Sequence, residues 1–195
     1  MTSYRVVPKV TIENTTLVAG AARKSLKVPS GVTAYDPIRV SFGEMSKKEP
    51  TKLPPPAGLT KCEADFEVPG AERITSEKTT QWKFTGGDII LNVKIGIYII
   101  DRYAPVSALF KLIMEHEYLH LRDYLNLANK DIDKKIEADT VLKPWLAGEP
   151  WTGAAFYDRL AEVWDLEAER LGNILDSGPE YERHKREIAK LAPRI

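Results

Sequence analysis

The chain is poor in cysteine, with Cys62 the only one among 195 residues. A single cysteine excludes an intramolecular disulfide and is compatible with a reducing compartment. Long hydrophobic runs are also lacking. No run approaches the roughly 20 residues of a membrane span, and the apolar piece Thr16–Ala22 is too short for a secretory signal. We therefore expect a cytoplasmic protein with no membrane-spanning segment, while export by another route stays open.

The chain also lacks an excess of charge of either sign, because 28 Lys and Arg balance 28 Asp and Glu. Proteins that bind nucleic acids or anionic membranes carry basic excess, so neither partner is expected. The composition, 43% hydrophobic and 29% charged, is typical of a globular protein, and the length suits one domain over residues 1–195. Nothing in the sequence indicates the oligomeric state.

The two halves of the chain differ in pattern. Residues 1–105 contain short β-branched runs separated by Gly and Pro, such as Arg5–Ile12 and Val32–Phe42, which predict strands. Residues 106–195 carry apolar residues at helical spacing. Predicted helices begin at Pro105, at Asp131 (ending near Pro144), at Ala154 and at Glu180. Strands followed by helices predict an α+β fold with a β-rich N-terminal part and a helical C-terminal part.

The clearest strand signal is a predicted hairpin of Thr79–Phe84, a Gly86-Gly87 turn and a long arm, Asp88–Asp101. Six apolar residues alternate along this arm and project to one face: Ile89, Leu91, Val93, Ile95, Ile97 and Ile99. The other face carries Asn92, Lys94, Gly96 and Tyr98. We expect the first face to be core, and the second can stay open to solvent.

The most informative pattern is His116-Glu117-Tyr118-Leu119-His120, an H-E-x-x-H sequence that contains two of the three histidines. Residues four apart on a helix share a face, so His116 and His120 can bind one metal ion. Glu117, one step round the helix, can then act as general base towards an activated water. This predicts a zinc site with His116 and His120 as ligands and Glu117 as the catalytic residue.

A catalytic zinc usually takes a third protein ligand, and helix geometry favours Glu167. Counted from Phe156 at about 100° per residue, Glu167 falls at about 20°. It lies within an apolar stripe formed by Leu160, Val163, Trp164, Leu171 and Ile174. A carboxylate that points into a core needs a cationic partner, which is a metal ion or an internal Lys or Arg. We predict the metal.

Three further residues are candidates for the third ligand. Asp139 shares a helix face with apolar residues, His184 lies at the edge of the last helix's apolar stripe, and Cys62 is a solitary thiol. Asp123 lies on the same face as both motif histidines. It could orient one imidazole by accepting its free ring N–H, or it could be a surface carboxylate beside Arg122.

At these residues the chain resembles the zincin superfamily of metallopeptidases, since His116, Glu117 and His120 match its helix motif. The gluzincin branch has a glutamate ligand on a later helix, and Glu167 resembles that glutamate in its position. The resemblance implies that the long arm before the helix could align an extended substrate peptide. The third histidine of metzincins and the Asn-Glu-x-x-x-Asp of thermolysin-like enzymes are absent. The Cys and Gly-rich motifs of peptide deformylase, another H-E-x-x-H family, are absent too.

The resemblance implies a zinc-dependent peptidase that acts on a peptide or protein substrate. Its cleavage specificity is not indicated by any residue pattern. The alternative is a non-catalytic metal-binding or protein-interaction module with a structural or vestigial site. A third hypothesis is a helical protein without metal, in which His116 and His120 join Asp123 and Glu167 in a buried polar network.

Overall fold

The computed structural model describes residues 3–50, 56–75, 79–103 and 107–191. Its strands are β1 (Tyr4–Ile12), β2 (Ile38–Val40), β3 (Gly58–Glu67), β4 (Ala71–Thr75), β5 (Thr80–Phe84), β6 (Gly87–Ile100) and β7 (Trp151–Thr152). Its helices are α1 (Gly20–Ser25), α2 (Phe42–Lys48), α3 (Ala108–Asn126), α4 (Ile132–Ala138), α5 (Leu142–Leu146), α6 (Ala155–Ser177) and α7 (Pro179–Leu191). A π-helical turn, Leu127–Asp131, joins α3 to α4. Strands and a sheet precede a mostly helical half, which confirms the predicted α+β class.

The strands form two sheets. One has the order β1-β6-β2, with β3 also paired to β6, and β2 runs parallel to β6. The other has the order β4-β5-β7 and is antiparallel. The predicted β5–β6 hairpin is therefore wrong, because its two arms belong to different sheets. The backbone N–H groups of Thr85 and Gly87 donate to the carbonyl oxygens of Gly70 and Ser3 instead of closing a hairpin. Gly86 and Gly87 adopt positive φ where the chain passes from the second sheet into β6 of the first.

The chain divides into two compact units. The first unit comprises Met1–Thr11, Glu63–Lys94 and Leu125–Arg170, and the second comprises Ile12–Cys62, Ile95–Tyr124 and Leu171–Ile195. Each unit takes segments from the strand-rich and from the helical part of the sequence. No helix in the described ranges is both long and apolar enough to cross a membrane.

The core of the first unit combines the alternating face of β6 with an aromatic cluster. Ile89, Leu91 and Val93 are buried, while Asn92 and Lys94 on the other face are not. The rings of Trp145, Trp151 and Phe156 pack against each other, and Phe156 also contacts Phe84. Here β6 has one core face and one more open face, as predicted.

The core of the second unit encloses β6 on both faces. Gly96, Tyr98 and Ile100 are buried along with the apolar face, so the prediction of an open second face fails at this end of the strand. The reason is that Tyr98 and Ile100 pack with Met45 of α2 and with Val40 of the adjacent strand β2. An apolar strand buried on both faces is typical of a strand at the centre of a fold.

Helices α4 and α5 replace the single helix predicted from Asp131 to Leu142. Asp139 ends α4, and its Oδ1 accepts hydrogen bonds from the backbone N–H groups of Val141 and Leu142. Pro144 lies inside α5 rather than after it, where its missing N–H costs nothing because first-turn N–H groups have no helical partner. Arg159 of α6 donates to both oxygens of Asp139, so this side chain also connects α6 to the α4–α5 junction.

The Asp139–Arg159 pair predicts a pH dependence of stability. The hydrogen bond from Arg159 holds the pKa of the Asp139 carboxyl below its ordinary value of 3.8. Because the folded-state pKa is lowered, the stabilisation is complete above about pH 4 and is lost as pH falls through the folded-state pKa. Asp139→Asn should keep the helix cap but reduce the free energy of unfolding at pH 7 by about 1–3 kcal/mol. Urea titrations measure this difference, which should shrink at pH 3.

The matched control is Asp133→Asn, on the exposed side of α4. It should change the free energy of unfolding little at either pH. A loss in Asp139→Asn that is equally large at pH 7 and at pH 3 would contradict the role of the charge.

Candidate metal centre

Helix α3 presents His116 and His120 on one face, as the motif predicts. Their Nε2 atoms lie 3.1 Å apart, and their rings meet edge to face with centroids 4.7 Å apart. The side chains are only 12% exposed. The neighbouring helix face is apolar, and the Tyr118 hydroxyl donates to the carbonyl oxygen of Tyr35, which fixes α3 within the second unit.

A third donor atom comes from Asp176, in the last turn of α6. Its Oδ1 lies 3.2 Å from Nε2 of His116 and 3.1 Å from Nε2 of His120. The three atoms therefore form a nearly equilateral triangle with sides of 3.1–3.2 Å. They are the three-residue group of potential metal ligands found among the described residues.

The triangle fits a metal ion. Two donors about 2.1 Å from a zinc ion lie about 3.4 Å apart at the tetrahedral angle and about 3.0 Å apart at a right angle. The observed sides of 3.1–3.2 Å fall between these values. Two imidazole nitrogens and one carboxylate oxygen are also a donor set found in zinc sites of hydrolases.

The electrostatics of the group favour a carboxylate at Asp176. Partial burial opposes ionisation, but hydrogen bonds with His116 and His120 outweigh it and hold the pKa of the carboxyl well below its usual range. Asp176 is therefore negatively charged at neutral pH. A negative oxygen beside two imidazole nitrogens is the charge state that cation binding requires.

Glu167, the predicted third ligand, has different partners. Its two oxygens accept hydrogen bonds from Lys135 at 2.9 Å and from Arg170 at 2.8 Å, and its side chain is 18% exposed. Burial opposes its ionisation, yet these hydrogen bonds lower the pKa of the carboxyl. Glu167 therefore has cationic partners, as predicted, but they are Lys135 and Arg170 rather than a metal ion. The carboxylate that lies beside the two histidines belongs to Asp176.

Asp139, Cys62 and His184 lie outside the donor group as well. Asp139 bonds to Arg159, and Cys62 is a half-buried residue of β3. His184 of α7 is buried, with its ring centroid 6.0 Å from that of His116, but it is not one of the three donors. Asp123 is half-buried and accepts a hydrogen bond from Arg122 at 2.7 Å, so its carboxylate is paired with Arg122.

Glu117 lies on the buried side of α3 and is only 4% exposed. The Thr60 hydroxyl of β3 lies 2.9 Å from Oε2 of Glu117 and 3.0 Å from its backbone carbonyl oxygen. Gly58 of β3 also packs close to this carboxylate, because a Cβ added there would lie 2.7 Å from Oε1. Contact with β3 thus fixes the orientation of the predicted general base.

Two tyrosines border the histidines. The ring of Tyr124 stacks on that of His120 at 6.3 Å, and burial raises the pKa of its hydroxyl well above the ordinary value. Tyr181 of α7 packs at 5.3 Å from the ring of His116. The Tyr124 hydroxyl therefore keeps its proton at neutral pH and can donate a hydrogen bond.

Sequence reasoning misses Asp176 because it assigns α6 one inward face along its whole length. Asp176 follows Glu167 by nine residues, or about 180° of helix rotation, and so falls on the side expected to face solvent. One signal in the sequence points to the end of α6, because Gly178-Pro179 predicts that the helix ends directly after Asp176 and Ser177.

The close approach of Gly58 to α3 generates a stability prediction. A Cβ at this position would lie 2.4 Å from Cγ2 of Ile113 as well as against Glu117, so Gly58→Ala must push β3 away from the helix. We expect the free energy of unfolding to fall by about 1–3 kcal/mol, as urea titration would measure. Gly43→Ala in α2, where an added Cβ meets no atom within 4 Å, is the control and should be neutral or slightly stabilising. Equal stability of the two variants would mean that β3 does not press on α3.

The centre therefore combines three convergent donors, a buried carboxylate beside them in sequence and tyrosines at its border. Zinc and other divalent transition metals accept this donor set. The chain matches no protein-family model, no curated protein and no solved structure.

Proposed function

We propose that this protein is a zinc-dependent metallopeptidase. The observation that carries the proposal is the triangle of Nε2 of His116, Nε2 of His120 and Oδ1 of Asp176, with sides of 3.1–3.2 Å. The two histidines lie on α3, which also contains Glu117, and Asp176 comes from α6. Catalytic zinc sites use three protein ligands, whereas structural zinc sites use four. The donor group among the described residues has three.

The roles of the residues follow from their chemistry. His116, His120 and Asp176 would hold the ion. Zinc supplies Lewis-acid chemistry, since it makes water acidic near neutral pH and polarises a carbonyl oxygen. Glu117 takes a proton from the attacking water and delivers it to the leaving amine as the C–N bond breaks. Tyr181, beside His116, is our proposed hydrogen-bond donor to the oxyanion that develops on the carbonyl.

The contact with Thr60 restricts how Glu117 can work. The hydroxyl lies within hydrogen-bond distance of Oε2 and of the backbone carbonyl oxygen of Glu117, so it limits the rotation of the carboxylate. A base held by one oxygen loses little entropy when it aligns with its substrate. The resemblance of the motif to that of zincins supports the same role.

A second function is favoured by one observation, the burial of Glu117. A carboxylate that packs under β3 can serve the structure alone, and the site would then belong to a non-catalytic metal-binding module. Both functions involve the same three ligands. They differ in whether Glu117 takes part in a reaction.

For the cellular setting, we propose the cytoplasm as the location and a peptide or protein as the partner. The single cysteine suits a reducing compartment. The balanced charge gives no support to a nucleic acid or a membrane as partner.

The substitution Glu117→Gln tests the function. It replaces the proton-accepting oxygen with an amide of the same size, so zinc binding should persist while hydrolysis falls by about 100-fold or more. The assay is cleavage of a pool of tryptic peptides from a denatured proteome, read by mass spectrometry, with zinc content measured on the same samples.

The matched control is Glu169→Gln, an exposed residue of α6, which should retain both zinc and activity. Wild-type cleavage that survives unchanged in Glu117→Gln would refute the general-base role. Zinc-loaded wild type that cleaves no peptide of the pool would refute the peptidase and favour the non-catalytic module.

A further inference from the structure

A cavity of about 430 Å³ lies beside the candidate metal centre, within the second unit. Its walls come from α3, from α7 and from the segment 27–30. The wall from α3 is formed by Glu115, Leu119 and Arg122. These residues alternate along the helix with His116 and His120, so the wall adjoins the helix face that carries the two histidines. His184 also lines the cavity, and its ring faces that of His116.

Positive charge exceeds negative charge around the cavity. Lys27, Arg122 and Arg183 contribute three positive charges against one negative charge from Glu115, and Asp123, which bonds to Arg122 at 2.7 Å, adds a second negative charge beside the cavity. The whole chain is neutral, so this local excess marks the cavity as a place for an anion.

Hydrogen bonds fix the backbone of Lys27 and the side chain of Arg183 in the walls. Oε1 of Glu115 accepts the backbone N–H of Lys27 at 3.0 Å, which ties the segment that carries Lys27 to α3. Nη2 of Arg183 lies 3.3 Å from Nε2 of the buried His184. A guanidinium can only donate, so Nε2 accepts and His184 orients Arg183 at the wall.

We propose that this cavity is a subsite for a carboxylate of the peptide substrate. The Arg183 guanidinium can pair with a carboxylate through charge-assisted hydrogen bonds, and Lys27 adds a second positive charge. The volume accommodates a terminal residue but not a folded partner. Since the cavity adjoins the metal donors, the carboxylate lies close to the scissile bond. This inference rests on the proposed peptidase function and specifies its substrate class.

The carboxylate can come from the C-terminus of the peptide or from an acidic side chain. Three N-acetylated alanine pentapeptides separate these sources: one with a free C-terminus, one amidated, and one amidated with glutamate as its last residue. Binding to zinc-loaded Glu117→Gln is measured by calorimetry, so the readout does not depend on turnover.

We expect the free acid or the glutamate peptide to bind at least about tenfold more tightly than the plain amide. This preference should disappear when Arg183→Gln or Lys27→Gln is added, both of which alter exposed side chains. The control is Arg186→Gln, an exposed residue one turn further along α7 that does not line the cavity, and it should keep the preference.

Equal binding of all three peptides would overturn the subsite, as would a preference that persists in both Arg183→Gln and Lys27→Gln. The two proposals fail in different ways. Wild type that cleaves peptides without any carboxylate preference would refute the subsite alone. A carboxylate preference in a protein that cleaves nothing would refute the peptidase and leave a carboxylate-binding cavity.

Discussion

The approach of Asp176 to His116 and His120 is the interaction on which the functional account depends. Two histidines one helical turn apart are a motif, but they do not select or retain a metal ion by themselves. Oδ1 of Asp176, within 3.2 Å of both Nε2 atoms, supplies the negative charge and the third donor. It also connects the end of α6 to α3 within the second unit. The last turn of α6 thereby has a role that its amphipathic pattern does not reveal.

The side chains around this group divide into two sets with different tasks. Glu117 points to the buried side of α3, where Thr60 and Gly58 of β3 fix its carboxylate. On the other side, α7 brings Tyr181 and His184 against the ring of His116. In the proposed reaction the first set would hold the base, and the second would border the region that a substrate enters. One helix places Glu117 and the two histidines on adjacent faces.

The sequence predicts the motif helix well because a spacing of four residues has one structural meaning on a helix. The sequence predicts the third donor poorly, because packing between segments that are distant in the sequence decides which carboxylate reaches the two histidines. The apolar stripe of α6 suggests Glu167, but that stripe is buried only as far as Trp164, and Ile174 is 57% exposed. Lys135, distant in sequence, neutralises Glu167 instead. The hairpin prediction at Gly86 is wrong for the same reason. Carbonyl oxygens of other segments accept the backbone hydrogen bonds of the residues on either side of Gly86.

The most direct test of the central claim is the zinc content per chain of purified, zinc-reconstituted protein, measured by elemental mass spectrometry. Wild type is compared with Asp176→Ala and Glu167→Ala, after circular dichroism has shown that all three are folded. We expect about one zinc ion per chain in wild type and in Glu167→Ala, and a large loss in Asp176→Ala. Zinc retained in Asp176→Ala but lost in Glu167→Ala would contradict the proposed role of Asp176 as third ligand, as would wild type that binds no zinc.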